Sequence, residues 1–157
     1  MAKLQSDLNE FVGLLNSHRV EFVVVGGHAV AFHGHPRFTG DIDLLIRPTR
    51  ENAEAVLRVL RDFGFDTLKV DPADLTTPGR ILQLGRPPNR IDLLTSISAV
   101  TFDEAWETRI SGALDDQQVS FLGWDALIRN KTASGRDKDR LDVKRLLAIA
   151  AHRRTDS

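Results

Sequence analysis

Apolar positions recur along this chain in two rhythms, and each marks a different kind of element. Leu4, Leu8, Phe11, Leu14 and Leu15 fall at helical spacing, which predicts an amphipathic helix from about Leu4 to Ser17. Phe22 to Val25 is an unbroken run of apolar β-formers and reads as a buried strand. Gly26-Gly27 then allows a tight backbone turn, and Ala29 to His33 reads as a short helix. Pro36 disfavours helix at His35, so Gly34-His35-Pro36 is expected to be a loop. From Arg37 to Asp43 the pattern alternates before running into Leu44-Leu45-Ile46, the apolar signature of a central strand.

Thr49 is placed to cap the next helix, whose stripe is Val56, Leu57, Leu60 and Phe63, with Gly64 at the C-cap position. A strand near Phe65 to Val70 and a polar loop through Pro72 and Pro78 are expected to follow. Residues 80–84 and 90–94 read as a hairpin around Gly85 to Asn89. Thr101-Phe102-Asp103-Glu104 fits a capping box, and a short β segment is expected near Val119 to Leu122. Trp124 to Ala133 and Asp137 to His152 read as two helices, the second burying Leu141, Leu146, Leu147 and Ile149. These elements predict an α/β (α+β) fold in which a small mixed sheet is flanked by helices. A single domain spans 1–157, with a core at about 20–122 and a closing helical pair at about 124–152.

At 157 residues the chain suits one domain with a real core. It has no cysteine, which excludes a disulfide framework and a thiolate zinc site. The first residues hold no apolar run of signal-peptide length and no stretch reaches transmembrane length, so a soluble cytoplasmic protein is expected. The near-zero net charge hides an asymmetry: residues 1–128 carry 12 Lys and Arg against 18 Asp and Glu, and residues 129–157 carry 9 against 4. A basic tail beside an acidic body suits the guidance of a polyanion or a nucleoside triphosphate, although a solvated amphipathic helix accounts for most of those charges.

The chemistry concentrates around the two glycines. If residues 37–43 are extended, Arg37, Thr39, Asp41 and Asp43 share one face. Two carboxylates on one face repel each other unless a cation intervenes, and a divalent metal is the natural occupant. The glycine turn offers free amides, and the short helix after it points its N-terminus at the same spot, a position suited to phosphate. The hairpin adds Asp92 on a neighbouring strand. Three such carboxylates are able to bind two divalent ions, ~3.5–4 Å apart in two-metal sites, and Mg²⁺ suits them because it fills its sphere with water and substrate phosphate. Asp92 is also a candidate base for an incoming hydroxyl.

Gly26-Gly27-His28-Ala29, then Arg37-Phe38-Thr39-Gly40-Asp41-Ile42-Asp43, then Arg90-Ile91-Asp92-Leu93-Leu94, resembles the nucleotidyltransferase superfamily with the polymerase-β-like fold. Its minimal bacterial branch, akin to the AbiEii-type toxins of toxin–antitoxin pairs, is the nearer likeness, and Lys131 with Gly135-Arg136-Asp137-Lys138-Asp139 extends it. The resemblance implies that Asp41, Asp43 and Asp92 hold Mg²⁺ or Mn²⁺, with Asp92 as third ligand or base. Gly26 and Gly27 would then contact the triphosphate, with His28 beside it, and Lys131 would neutralise it. Gly27 stands where many members have Ser, and Thr39 is the candidate replacement for that hydroxyl. The implied activity is Mg²⁺-dependent transfer of a nucleoside monophosphate from an NTP to a hydroxyl on RNA (including tRNA), protein or a small molecule, with an antitoxin as a possible partner chain. The rivals are a non-catalytic nucleotide-binding module and an ATP-dependent phosphotransferase. Arg37 has the alternative of pairing with an aspartate and Lys131 of lying solvent-exposed on its helix, while Arg90 is expected to pair with Asp92, with a substrate contact as its alternative. Lys138 and Asp142 are spaced for a helix pair, His33 and His35 are expected to be structural, and Trp106 and Trp124 to be core or interface anchors.

Overall fold

The computed structural model describes residues 6–34, 40–65, 69–86 and 89–155. Its order is α1 (Ser6–Ser17), β1 (Phe22–Val25), α2 (Gly26–Phe32), β2 (Ile42–Ile46), α3 (Arg50–Phe63), a 3₁₀ turn (Pro72–Leu75), β3 (Ile81–Leu84), β4 (Ile91–Leu94), α4 (Phe102–Glu107), β5 (Ile110–Leu114), β6 (Gln117–Phe121), α5 (Trp124–Ser134) and α6 (Asp137–Thr155). The six strands form one mixed sheet in the order β3-β4-β2-β1-β6-β5. At its centre β1 runs antiparallel to β2 and parallel to β6, while β2 runs parallel to β4.

Strand alternation divides the core between the two faces. Phe22, Val24, Ile42, Leu44 and Ile46 point to one side, where they pack with Leu8, Phe11 and Leu15 of α1 and Val56, Val59 and Leu60 of α3. Val23, Val25 and Leu45 point to the other, against Ala29 and Val30 of α2, Ala105 of α4, Leu127 of α5 and Leu146 of α6. Asp43 lies between Ile42 and Leu44 and so belongs to the second side. The Thr49 side chain accepts from the Asn52 amide and Gly64 closes α3 at φ +97°, as their residue types dictate. The buried Asn52 donates to the carbonyls of Glu21 and Arg47 and accepts from the Glu21 amide, fastening β1, β2 and α3 together.

Several expectations change. Helix α2 starts at Gly26 itself, so the glycines are its first turn and not a loop ahead of it. Phe65, Lys69 and Val70 are not in a strand, and residues 66–68 of the expected strand lie outside the described residues. The loop through Pro72 holds a 3₁₀ turn that Asp71 and Asp74 close with a capping box. β5 was not anticipated. Leu141 and Leu147 are 44% and 49% exposed, Ile149 is half-buried, and the inward face of α6 is instead Asp139, Asp142 and Leu146. That reversal has an electrostatic cause, because both aspartates meet the buried Lys131 of α5.

Candidate active site

β1 ends at Val25, and the chain turns at once into α2 through Gly26 at φ +66°. Val25 pairs with Asp43 across β1 and β2, and Asp43 pairs in register with Asp92 across β2 and β4. Three neighbouring strands thus deliver the glycine turn and two carboxylates to one spot. A Cβ built on Gly26 would stand 2.3 Å from Asp43 Oδ2, so only glycine leaves that oxygen its place. The buried Asp92 is hydrogen-bonded to Asp43.

Burial of Asp43, the negative charge of Asp92 and the hydrogen bond between them push the Asp43 carboxyl up to about 6, against the pull of Arg90 and Lys131. Such an environment asks for positive charge. Arg90 supplies part of it: its Nε lies 3.1 Å from Asp92 Oδ1 and its Nη2 lies 3.6 Å from Asp41 Oδ2. The Arg90 amide also donates to Asp41 Oδ1 at 3.2 Å, which holds Asp41 at the margin of the pair just before β2.

His28 is 3% exposed on the first turn of α2, with its ring beside Asp41. Burial holds its pKa below the ordinary value, while the adjacent Asp41 backbone and carboxylate pull the other way, so the ring is neutral at pH 7. Gly27 is the second residue of α2. Arg37 and Thr39 lie outside the described residues, as does His35. His33 is structural: its Nε2 is 2.7 Å from the Leu122 carbonyl oxygen, and its ring meets Trp124 edge-on. Trp106 stacks on Phe102.

Lys131 is 5% exposed and is not a surface lysine. Its Nζ lies 3.0 Å from Asp139 Oδ1 and 3.2 Å from Asp142 Oδ2. Asp139 also accepts from Ser134 Oγ and Arg136 Nε. Burial alone would raise its pKa, but those two donors, together with Lys131, hold it well below the carboxylate range. Asp142, expected to pair with Lys138, faces Lys131. The charges of Lys131 and Arg136 both reach Asp43, so this network backs the acidic pair. Sequence reasoning missed Asp139 and Asp142 as buried partners; the signal was the lone Lys131 on a helix facing acidic residues of the next.

Hard carboxylate oxygens on two adjacent strands, ionised side by side above about pH 6, are a donor set that a divalent cation fits. Among the described residues no group of three or more His, Asp or Glu is already arranged to hold a metal. The adjacent pair is Asp43 and Asp92, with Asp41 at its margin, and Arg90 contacts both Asp92 and Asp41.

Fold and site together define a nucleotidyltransferase-like protein. The chain belongs to the family described as nucleotidyltransferase of unknown function (DUF6036), which matches residues 1–151. No curated protein matches it by sequence. Among solved structures it is similar to the lincomycin-bound lincosamide antibiotic adenylyltransferase LnuA, with a TM-score of 0.60 at 15% identity over 94% of this chain and 99% of that one. It is also similar to an antigenic nucleotidyltransferase-like protein from Paracoccidioides brasiliensis, with a TM-score of 0.53 at 17% identity over 94% of this chain and 79% of that one. At those identities the likeness is one of fold: the mixed sheet flanked by helices that the sequence led us to expect. No helix among the described residues is long and apolar enough to cross a membrane.

Proposed function

We propose that the chain moves a nucleoside monophosphate from an NTP to a hydroxyl acceptor and releases pyrophosphate. The observation that carries this reading is the register pairing of Asp43 with Asp92 beneath a helix that begins at Gly26. The acceptor oxygen forms a bond to the α-phosphorus, the bond from that phosphorus to the bridging oxygen breaks, and the acceptor proton passes to Asp92. Asp41, Asp43 and Asp92 would hold Mg²⁺ or Mn²⁺, which supplies the positive charge that the phosphates and the developing oxyanion require. Gly26 and Gly27 present backbone to the phosphates, and His28 flanks the nucleotide from the first turn of α2. Arg37 and Thr39 are assigned to the phosphates from the sequence alone. Lys131 is assigned to neutralising the triphosphate; while Asp139 and Asp142 hold it, it does so through its field at Asp43.

The test uses NTPs labelled at the α- or the γ-phosphate, with Mg²⁺ and cellular RNA, protein or small-molecule extracts. Transfer of the α-label that is lost in Asp43→Asn supports the reading and names the acceptor class. Transfer of the γ-label with ADP release identifies a phosphotransferase instead, and nucleotide binding without any transfer identifies a binding module. A toxin role, with an antitoxin partner in the cytoplasm, predicts growth arrest on expression that the same substitution abolishes.

A further inference from the structure

Arg90 meets the groups that would bind metal at four points. Its Nη2 donates to Asp92 Oδ2 at 3.3 Å, its Nε forms an ion pair with Asp92 Oδ1 at 3.1 Å, its Nη2 lies 3.6 Å from Asp41 Oδ2, and its amide donates to Asp41 Oδ1. It also shares the short stretch of backbone that presents Asp92, so it cannot drift from the site by more than its own side chain's reach. That side chain is 32% exposed, so its head group is not locked in the core. A guanidinium and a divalent cation at the same carboxylates compete, because the two positive charges repel and each satisfies the same negative charge.

We propose that Arg90 is a resident counter-cation that competes with the metal for Asp41 and Asp92, so that metal binds weakly until an incoming nucleotide gives the guanidinium a new anionic partner. The inference rests on the nucleotidyl-transfer reading and adds a device to it. Arg90 bridges Asp41 and Asp92 and offsets part of the repulsion among the three carboxylates. When an NTP arrives with its metal, the triphosphate offers the guanidinium oxygens of equal hardness and higher charge, and Asp41 and Asp92 are released for coordination. Metal and nucleotide therefore strengthen each other's binding, and by linkage they do so to the same extent. Arg90 thus exchanges the carboxylates for the triphosphate and takes no proton in the transfer.

The experiment titrates Mn²⁺ by electron paramagnetic resonance into the full chain, with and without a non-hydrolysable NTP analogue. The proteins are the wild type, Arg90→Gln, Arg90→Lys and Asp43→Asn, each checked by its thermal transition. Arg90→Gln is expected to bind Mn²⁺ about tenfold more tightly than wild type without nucleotide, a charge-assisted contact having been removed from the ligands. The gain in Mn²⁺ affinity on adding the analogue is expected to shrink by a similar factor. Arg90→Lys, which keeps the charge but not the fork, falls between the two and serves should Arg90→Gln not fold. Mn²⁺ affinity in Arg90→Gln that is equal to or weaker than wild type overturns the proposal while leaving the reading of the site intact. If Asp43→Asn binds Mn²⁺ as wild type does, or wild type binds none even with the analogue, the functional reading fails and takes this inference with it.

Discussion

Replacing Asp43 with Asn is expected to make the folded protein more stable at neutral pH while removing its activity. The folded carboxyl titrates near 6, against an ordinary value of 3.8, so between those values the native state holds a proton that the unfolded chain has lost. Stability therefore falls as pH rises through that window, and above about pH 6 the full penalty of ionising a buried acid beside Asp92 is present. A pKa unit corresponds to about 1.4 kcal/mol, which caps the penalty at about 3 kcal/mol; sharing of the proton with Asp92 places it at roughly 1–3 kcal/mol. Asn has the shape of the protonated acid and carries no charge to bury. In a domain of this size about 1 kcal/mol moves Tm by about 2–4 °C, so Asp43→Asn should melt about 3–8 °C higher than wild type at pH 7.5. At pH 4 the two should melt within about 2 °C of each other, since both then carry a neutral side chain in the fold. Calorimetry at the two pH values measures this in the absence of divalent ions. An Asp43→Asn protein that is no more stable at pH 7.5, or whose gain is the same at pH 4, refutes the strained acidic pair.

Gly26→Ala puts a Cβ at φ +66° and 2.3 Å from Asp43 Oδ2. The left-handed backbone costs about 1–2 kcal/mol, read by urea unfolding, and displacement of the carboxylate should lower NTP turnover at least tenfold, about 1.4 kcal/mol in the barrier. Asp139→Asn leaves Lys131 buried with Asp142 as its carboxylate contact at 3.2 Å, and a loss of about 3–5 kcal/mol in urea unfolding is expected. Because the Asp139 pKa is depressed in the fold, the stability it contributes is present above about pH 4 and drains away as pH falls further; acid unfolding of Asp139→Asn should show a shallower pH dependence than wild type. Thr49→Ala removes the acceptor for the Asn52 amide and should cost about 1 kcal/mol by the same unfolding assay, without change in nucleotide binding.

Most of the sheet was legible because its strands are apolar or strictly alternating. Phe22 to Val25, Ile42 to Ile46 and the hairpin of Ile81–Leu84 with Ile91–Leu94 all fall where their patterns place them. Cap chemistry located α3 and α4 as well, through Thr49 and Thr101. β5 escaped because Ile110-Ser-Gly-Ala-Leu carries little apolar signal; its marker is the tight turn at Asp115-Asp116, where Asp115 adopts φ +55°, a conformation Asp tolerates. The buried face of α6 was misjudged for a physical reason. Helical periodicity counts apolar residues, whereas this helix turns Asp139 and Asp142 inward to meet Lys131 and leaves Leu141 and Leu147 outside. At the site, residue types and spacing named Asp43 and Asp92, but that they stand side by side depends on the parallel β2–β4 register, which one-dimensional spacing does not contain.

The central claim is that Asp43 and Asp92 jointly hold a divalent cation against the phosphates of an NTP. Crystals grown with Mn²⁺ and a non-hydrolysable NTP analogue test it directly through anomalous scattering. Expected is a Mn²⁺ peak within about 2.0–2.5 Å of oxygens from both carboxylates and of a phosphate oxygen, with the triphosphate lying against Gly26 and Gly27. Nucleotide bound elsewhere, or a peak that touches neither Asp43 nor Asp92, would contradict it.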